Sequence, residues 1–176
     1  MIVYFLRHAS AGQSVADPKK DERRPLDSEG ILQCSYIGRT LAAMEIHADA
    51  VISSPLKRAM QTASLVGTEM GYEGKIHLEN ALRPDSDDAT FREMLRKYSQ
   101  LESIIVVGHN PTLTDFLASF IGPRGGKAGV DLKKGAIARV ETKAKQNILL
   151  WCLTPKIAKA IYESATPKSR PKTSRK

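Results

Sequence analysis

Three stretches of the chain carry residues suited to chemistry on an anion. They are Arg7-His8, Ser53-Ser54-Pro55 with Arg58 one turn on, and Gly108-His109-Asn110. Each follows a short apolar run: Ile2–Leu6, Ala50–Ile52 and Ile104–Val107. Such runs of strand-forming residues read as strands buried on both faces. In open α/β folds, ligands bind at the carboxyl ends of such strands. If the three strands run parallel, Arg7, His8, Arg58 and His109 converge on one edge. Two guanidinium groups, two imidazoles and two helix N-termini in one crevice make an anion site. Exposed backbone N–H groups and the positive ends of the helix dipoles both favour phosphate there.

Arg58 gives a second hint. A cation in the first turn of a helix opposes the dipole by roughly 0.3 kcal/mol or more. A dianion bound between Arg58 and the helix terminus removes that conflict, whereas neighbouring Lys57 reads as solvated. His8 and His109 occupy equivalent strand ends and read as catalytic. His47, in a helix-to-strand connection, and His77, in an alternating strand, read as surface or packing residues.

The elements that must position these groups alternate along the chain. A polar loop, Ala9–Leu26, follows the first strand and holds a dense charged patch from Asp17 to Pro25. A helix runs from Ser28 to about Glu45, with Asp27 as candidate N-cap, although Gly30 breaks the capping-box pattern. Its stripe is Ile31, Cys34, Gly38, Leu41 and Ala42. After the strand Asp49–Ser53, Ser54 reads as the cap and Pro55 as the first residue of a helix, with Leu56, Ala59, Met60, Ala63 and Val66 as its apolar stripe. Lys75–Ala81 reads as a third strand and 89–99 as a helix. The buried strand Ser103–Val107 leads into a Pro-started helix with Leu113, Phe116, Leu117, Phe120 and Ile121 on one face. Ala136–Thr142 and Ile148–Leu153 form an antiparallel pair joined by a short polar turn, and a helix spans 156–164. The fold class is therefore α/β: a three-layer α/β/α sandwich with a mostly parallel central sheet and an antiparallel C-terminal hairpin. The Gly-rich segment Gly122–Gly129 is not a P-loop: it follows a helix, Gly122 and Gly126 are separated by three residues where four are needed, and Ala128 stands in place of the required Ser or Thr.

Composition narrows the partners. The 176 residues suffice for one domain, expected over 1–166, and carry a formal charge of +8. Five of those charges lie in Pro167–Lys176, a Pro-, Ser- and Lys-rich segment expected to be a disordered tail. Nucleic acid or an anionic surface would attract it, but the remaining +3 gives little support for a nucleic-acid binder. No apolar stretch reaches the roughly 20 residues of a membrane helix. No signal peptide is evident, and Cys34 and Cys152 read as reduced, mostly buried thiols, so a cytoplasmic location is expected.

Leu6-Arg7-His8-Ala9, the stretch SSPLKRAMQTA from Ser53 to Ala63, and Val107-Gly108-His109-Asn110-Pro111 resemble the histidine phosphatase, or phosphoglycerate mutase-like, superfamily. Arg24-Pro25-Leu26-Asp27-Ser28-Glu29-Gly30 is similar to the Arg-Pro-Leu-Thr-x-x-Gly stretch of the small SixA-type phosphohistidine phosphatases. Asp27 stands where Thr or Ser is usual, and Ala9 where the superfamily usually has Gly. The resemblance covers roughly residues 1–155.

The resemblance implies that His8 is a nucleophile that forms a phosphohistidine, which water then hydrolyses. Arg7, Arg58 and His109 are then the phosphate-binding residues that stabilise charge on the equatorial oxygens. It implies no metal and no cofactor. Larger relatives carry an acid that protonates the leaving oxygen. The candidates here are Asp85, Asp87 and Asp88, though Asp87 or Asp88 equally suits the cap of the next helix. The expected activity is dephosphorylation of phosphohistidine in a protein, such as a histidine phosphotransfer domain. The alternatives are a small-molecule phosphomonoesterase of the same superfamily and a non-catalytic phospho-binding scaffold. Basic patches at Lys19–Arg24 and Arg124–Lys134 are candidates for docking an acidic partner.

Overall fold

β1 (Ile2–Arg7) lies inside a six-stranded sheet, flanked by β4 (Ser103–Gly108) and β5 (Ile137–Glu141). The computed structural model describes residues 1–123 and 126–165. Arg124 of the second basic patch and the expected tail at 167–176 lie outside the described residues. With β2 (Ala50–Ser53), β3 (Ile76–Leu78) and β6 (Ile148–Leu153), the strand order is β3-β2-β4-β1-β5-β6. The first four strands in sequence pair in parallel, and β5 runs antiparallel to both β1 and β6.

Side-chain alternation splits the sheet's burial between two faces. Tyr4, Leu6, Val51, Ile105 and Val107 pack on one side with α2 (Ser28–Ala43) and α3 (Lys57–Glu69). Val3, Phe5, Ile52, Ile104 and Val106 pack on the other with α4 (Asp88–Lys97) and α5 (Thr112–Ile121). The apolar runs are continuous because both faces are covered. The three-layer sandwich and the C-terminal hairpin are as expected.

Several local expectations need correction. The polar loop contains a short helix, α1 (Pro18–Glu22), capped by Asp17, which accepts from the Lys19 N–H at 2.9 Å. Ile31 and Ala42 are exposed, and Ile37 takes the inward place on α2. Met60 also faces outward, and the third strand is only three residues long. Ser54 does not cap α3, which starts at Lys57 with no side-chain cap. Cys34 is buried but Cys152 is exposed, and both are free thiols. α6 (Pro155–Ala165) packs against α2.

Asp27 does cap α2, and it does more. Its Oδ1 accepts from the Gly30 N–H at 2.7 Å, while Oδ2 accepts from Ser10 Oγ at 2.8 Å and the Gly12 N–H at 2.7 Å. One carboxylate thus fastens the loop after β1 to the helix start. Gly30 permits that approach: a Cβ there would lie 2.0 Å from the Ser10 carbonyl oxygen. Because the obstacle is backbone, Gly30→Ala is expected to cost about 1–3 kcal/mol. Chemical denaturation would read this as a lower midpoint with an unchanged slope.

Candidate active site

The sheet ladder brings the predicted residues together. Arg7 pairs with Gly108 across β1 and β4, and Ser53 with Val107 across β2 and β4. The next residues, His8, His109 and Ser54, therefore leave the sheet side by side at its carboxyl edge. The rings of His8 and His109 lie 4.9 Å apart, centroid to centroid. Both line a cavity of about 280 Å³ together with Arg7 and Arg58. Arg58 is buried in the first turn of α3, and Lys57 beside it is exposed. His47 and His77 are both exposed.

His8 is held in one tautomer. Its Nδ1 lies 2.8 Å from the Ala9 carbonyl oxygen, which can only accept, so Nδ1 carries the proton and Nε2 keeps its lone pair. The acceptor is itself fixed from two sides. The Ala9 N–H donates to Thr62 Oγ1 at 3.1 Å, and the Ser10 N–H donates to Gln33 Oε1 at 2.9 Å. Burial, reinforced by Arg58, Arg7 and Arg24, pushes the His8 pKa down to about 4, against the Ala9 hydrogen bond, which favours the charged form. Burial, then His8, Arg58 and Arg83, push His109 to about 2. Both rings are therefore neutral at pH 7. In a side-chain NMR titration, His8 should protonate near pH 4, and a midpoint at the ordinary value of 6.5 would contradict this environment. Since the folded pKa lies below the unfolded one, the unfolded chain binds more protons between about pH 6.5 and 4. Stability should fall as the pH is lowered through that window.

His109 Nε2 lies 2.9 Å from Ser54 Oγ, in place of the helix cap expected of that serine. Of the seven buried side-chain polar atoms without a protein partner among the described residues, four belong to residues lining this cavity. They are Arg7 Nε, Arg58 Nε, His109 Nδ1 and Asn110 Oδ1. An unsatisfied buried polar group costs roughly 1–3 kcal/mol. Three of the four are nitrogens that can donate to an oxyanion.

Three charged lining residues were not singled out as site residues by sequence: Asp21, Arg24 and Lys134. Asp21 comes from α1 and grips Arg58, whose Nη1 donates to the Asp21 carbonyl at 2.9 Å and to Oδ2 at 3.1 Å. Arg24 donates from Nε to Asp21 Oδ1 at 2.8 Å and from Nη1 to the Ala11 carbonyl at 2.6 Å. Glu22 pairs with Arg83, tying α1 to the loop after β3. The one sequence signal for this arrangement was Asp17-Pro18, a cap followed by a helix-starting proline.

Asp21 is the only carboxylate among the residues lining the cavity. The Arg24 hydrogen bond, with help from the Val15 N–H and Arg58, holds its pKa down at about 2. It is therefore an anchor and carries no proton near neutral pH. Asp85, Asp87 and Asp88 lie outside the cavity lining. The Asp85 side chain is 81% exposed, Asp87 caps α4 through the Thr90 N–H at 2.8 Å, and Asp88 pairs with Arg92 at 2.5 Å. Among the described residues, no group of three His, Cys, Asp or Glu side chains is placed to hold a metal ion, and no helix is long and apolar enough to cross a membrane.

The sequence model of the histidine phosphatase superfamily (branch 1) matches residues 3–84 of the chain. The solved structure of the protein histidine phosphatase SixA complexed with tungstate is similar to it, with a TM-score of 0.78 and 24% identity over 89% of this chain and 98% of that one. The alpha-ribazole phosphatase of Shigella flexneri superposes with a TM-score of 0.66 at 18% identity, covering 85% of this chain and 94% of that one. In sequence, an uncharacterized protein of Picosynechococcus is 26% identical over 85% of this chain and 94% of its own length.

Proposed function

We propose that the chain is a metal-independent phosphatase that passes its substrate's phosphoryl group through His8 and acts on phosphohistidine in proteins. His8 Nε2 attacks phosphorus, the leaving nitrogen departs, and a phosphohistidine forms on the enzyme. Water then attacks that phosphorus, and His8 Nε2 leaves as the neutral ring. Arg7 and Arg58 meet the charge on the equatorial oxygens. In the tautomer in which the Ser54 hydroxyl donates to His109 Nε2, the His109 proton lies on Nδ1, the atom without a partner, where a phosphoryl oxygen can accept it.

The observation that carries the choice of substrate is the state of Asp21. An alkoxide leaving group needs a proton, and supplying it is worth about 10²–10⁴ in rate. The one carboxylate in the cavity lining is held at a pKa of about 2 and cannot supply it. Cleaving a P–N bond to an imidazole demands far less help. Likeness to the solved SixA structure, whose bound tungstate is an oxyanion, supports the same reading. The likeness to an alpha-ribazole phosphatase keeps a small phosphate ester as the rival. Turnover of a histidine-phosphorylated phosphotransfer domain should exceed that of any ester in a panel of sugar and nucleotide monophosphates by about 10²-fold or more in kcat/KM. Equal or faster ester hydrolysis would overturn the choice.

A further inference from the structure

A second concavity, of about 740 Å³, opens beside the catalytic cavity and shares Arg7 and Lys134 with it. Its floor is apolar: Leu32 and Tyr36 of α2 face Pro155 at the start of α6. Leu32 is 57% exposed. Lys133 and Lys134 stand on one rim, and Lys156 and Lys159 on the other. Against these and Arg7 the groove sets a single acid, Glu29. Lys133 pairs with Asp131 and Lys159 with Glu163, Lys134 acts on the Asp27 carboxylate, and Lys156 forms no ion pair within 4.0 Å among the described residues.

We propose that this groove docks an acidic, amphipathic segment of the protein that carries the phosphohistidine. The inference rests on the phosphohistidine reading above and names what lies beyond the phosphoryl group. Three observations favour this occupant. The groove adjoins the catalytic cavity at Arg7 and Lys134, which line both, so a chain lying in it passes beside the cavity that holds His8. The lysine rims complement acidic side chains, while Leu32, Tyr36 and Pro155 complement an apolar stripe between them. The chain's own C-terminal residues are excluded by charge, because Pro167–Lys176 holds five cations and no acid. The sequence patch ending at Lys134 thus contributes to docking, whereas Arg24 of the other patch turns into the catalytic cavity.

The floor is also joined to the nucleophile. Gln33, between Leu32 and the Tyr36 turn of α2, lines the groove and accepts from the Ser10 N–H at 2.9 Å. Gly135, at φ +69°, brings its main chain against Pro155 and Gln33, and its N–H donates to the His8 carbonyl at 3.2 Å.

The test uses the full chain and two substrates: a histidine-phosphorylated, acidic phosphotransfer domain and free phosphohistidine. The variants are Lys156→Glu/Lys159→Glu and, separately, Leu32→Asp, all at exposed positions. Each should raise KM for the phosphorylated domain about tenfold or more and leave hydrolysis of free phosphohistidine at the parental rate. For the parent, KM on the domain should rise with salt, and the lysine variant should flatten that dependence. An unchanged KM for the domain in both variants would overturn the groove as the docking surface and leave the phosphatase reading standing. Parental enzyme that cleaves phosphate esters but neither phosphohistidine substrate would overturn both.

Discussion

Replacing His8 with alanine is expected to lower turnover by about 10⁴-fold or more while the chain remains folded. The imidazole is the one group at the sheet edge with a fixed tautomer and a free nitrogen lone pair, so its loss removes the bond-forming atom. Its removal should be mild for stability, because the ring sits at the lip of a cavity of about 280 Å³ and the hydrogen bonds that hold Ala9 and Ser10 are made without it. Acid-sensitive labelled phosphoenzyme should be trapped from the parent and be absent from His8→Ala. Free imidazole, which fits the space vacated, should restore part of the activity. A variant that still forms the labile phosphoenzyme would mean that another atom attacks phosphorus.

The second large effect is expected at Arg58. Arg58→Ala should lower kcat by about 10²–10³-fold, the range found when one donor to developing negative charge is removed. Arg58→Lys should rescue little. Arg58 spends Nη1 on both the Asp21 carbonyl and its carboxylate, and keeps Nε without a protein partner. An ammonium has no rigid fork and cannot hold Asp21 and a phosphoryl oxygen in that geometry. The variant should also move a second observable. Arg58 helps depress the His8 pKa, so its loss should shift the His8 NMR titration upward from about 4. Lower activity with an unmoved titration would place Arg58 away from the nucleophile.

The part of the site built by strand ends was legible in sequence, because its signal is local. Ile2–Leu6, Ala50–Ile52 and Ile104–Val107 read as buried strands, and polar residues directly after them had to emerge at one edge if the strands were parallel. Arg58, marked out by its conflict with the helix dipole, lies buried in the lining of the cavity. The remainder depended on contacts between distant segments. Asp21 and Arg24 sit in a charged run that reads as solvated surface, and nothing in that run says that Arg58, 37 residues on from Asp21, will be the partner. Ser54 carried a misleading signal: Ser-Pro fits a helix start, but the hydroxyl went to His109 across the sheet edge. Asp27 carried a weak one, since the missing Glu at Gly30 argued against a capping box, while the close approach of Ser10 required glycine there.

The ladder between β1 and β4 has a consequence for how such a protein changes allegiance. The spacing of the two imidazoles is inherited from backbone pairing that ends at Arg7 and Gly108, the last pair before the carboxyl edge of the sheet. The cavity around them is lined from elsewhere as well: by Asp21 of the helix Pro18–Glu22, by Pro84 and by Lys134. None of those stretches belongs to a strand of the sheet. If the chain works as proposed above, the reacting geometry and the choice of substrate are separable, and transplanting the surface stretches alone should change the substrate without disturbing the spacing of the two imidazoles.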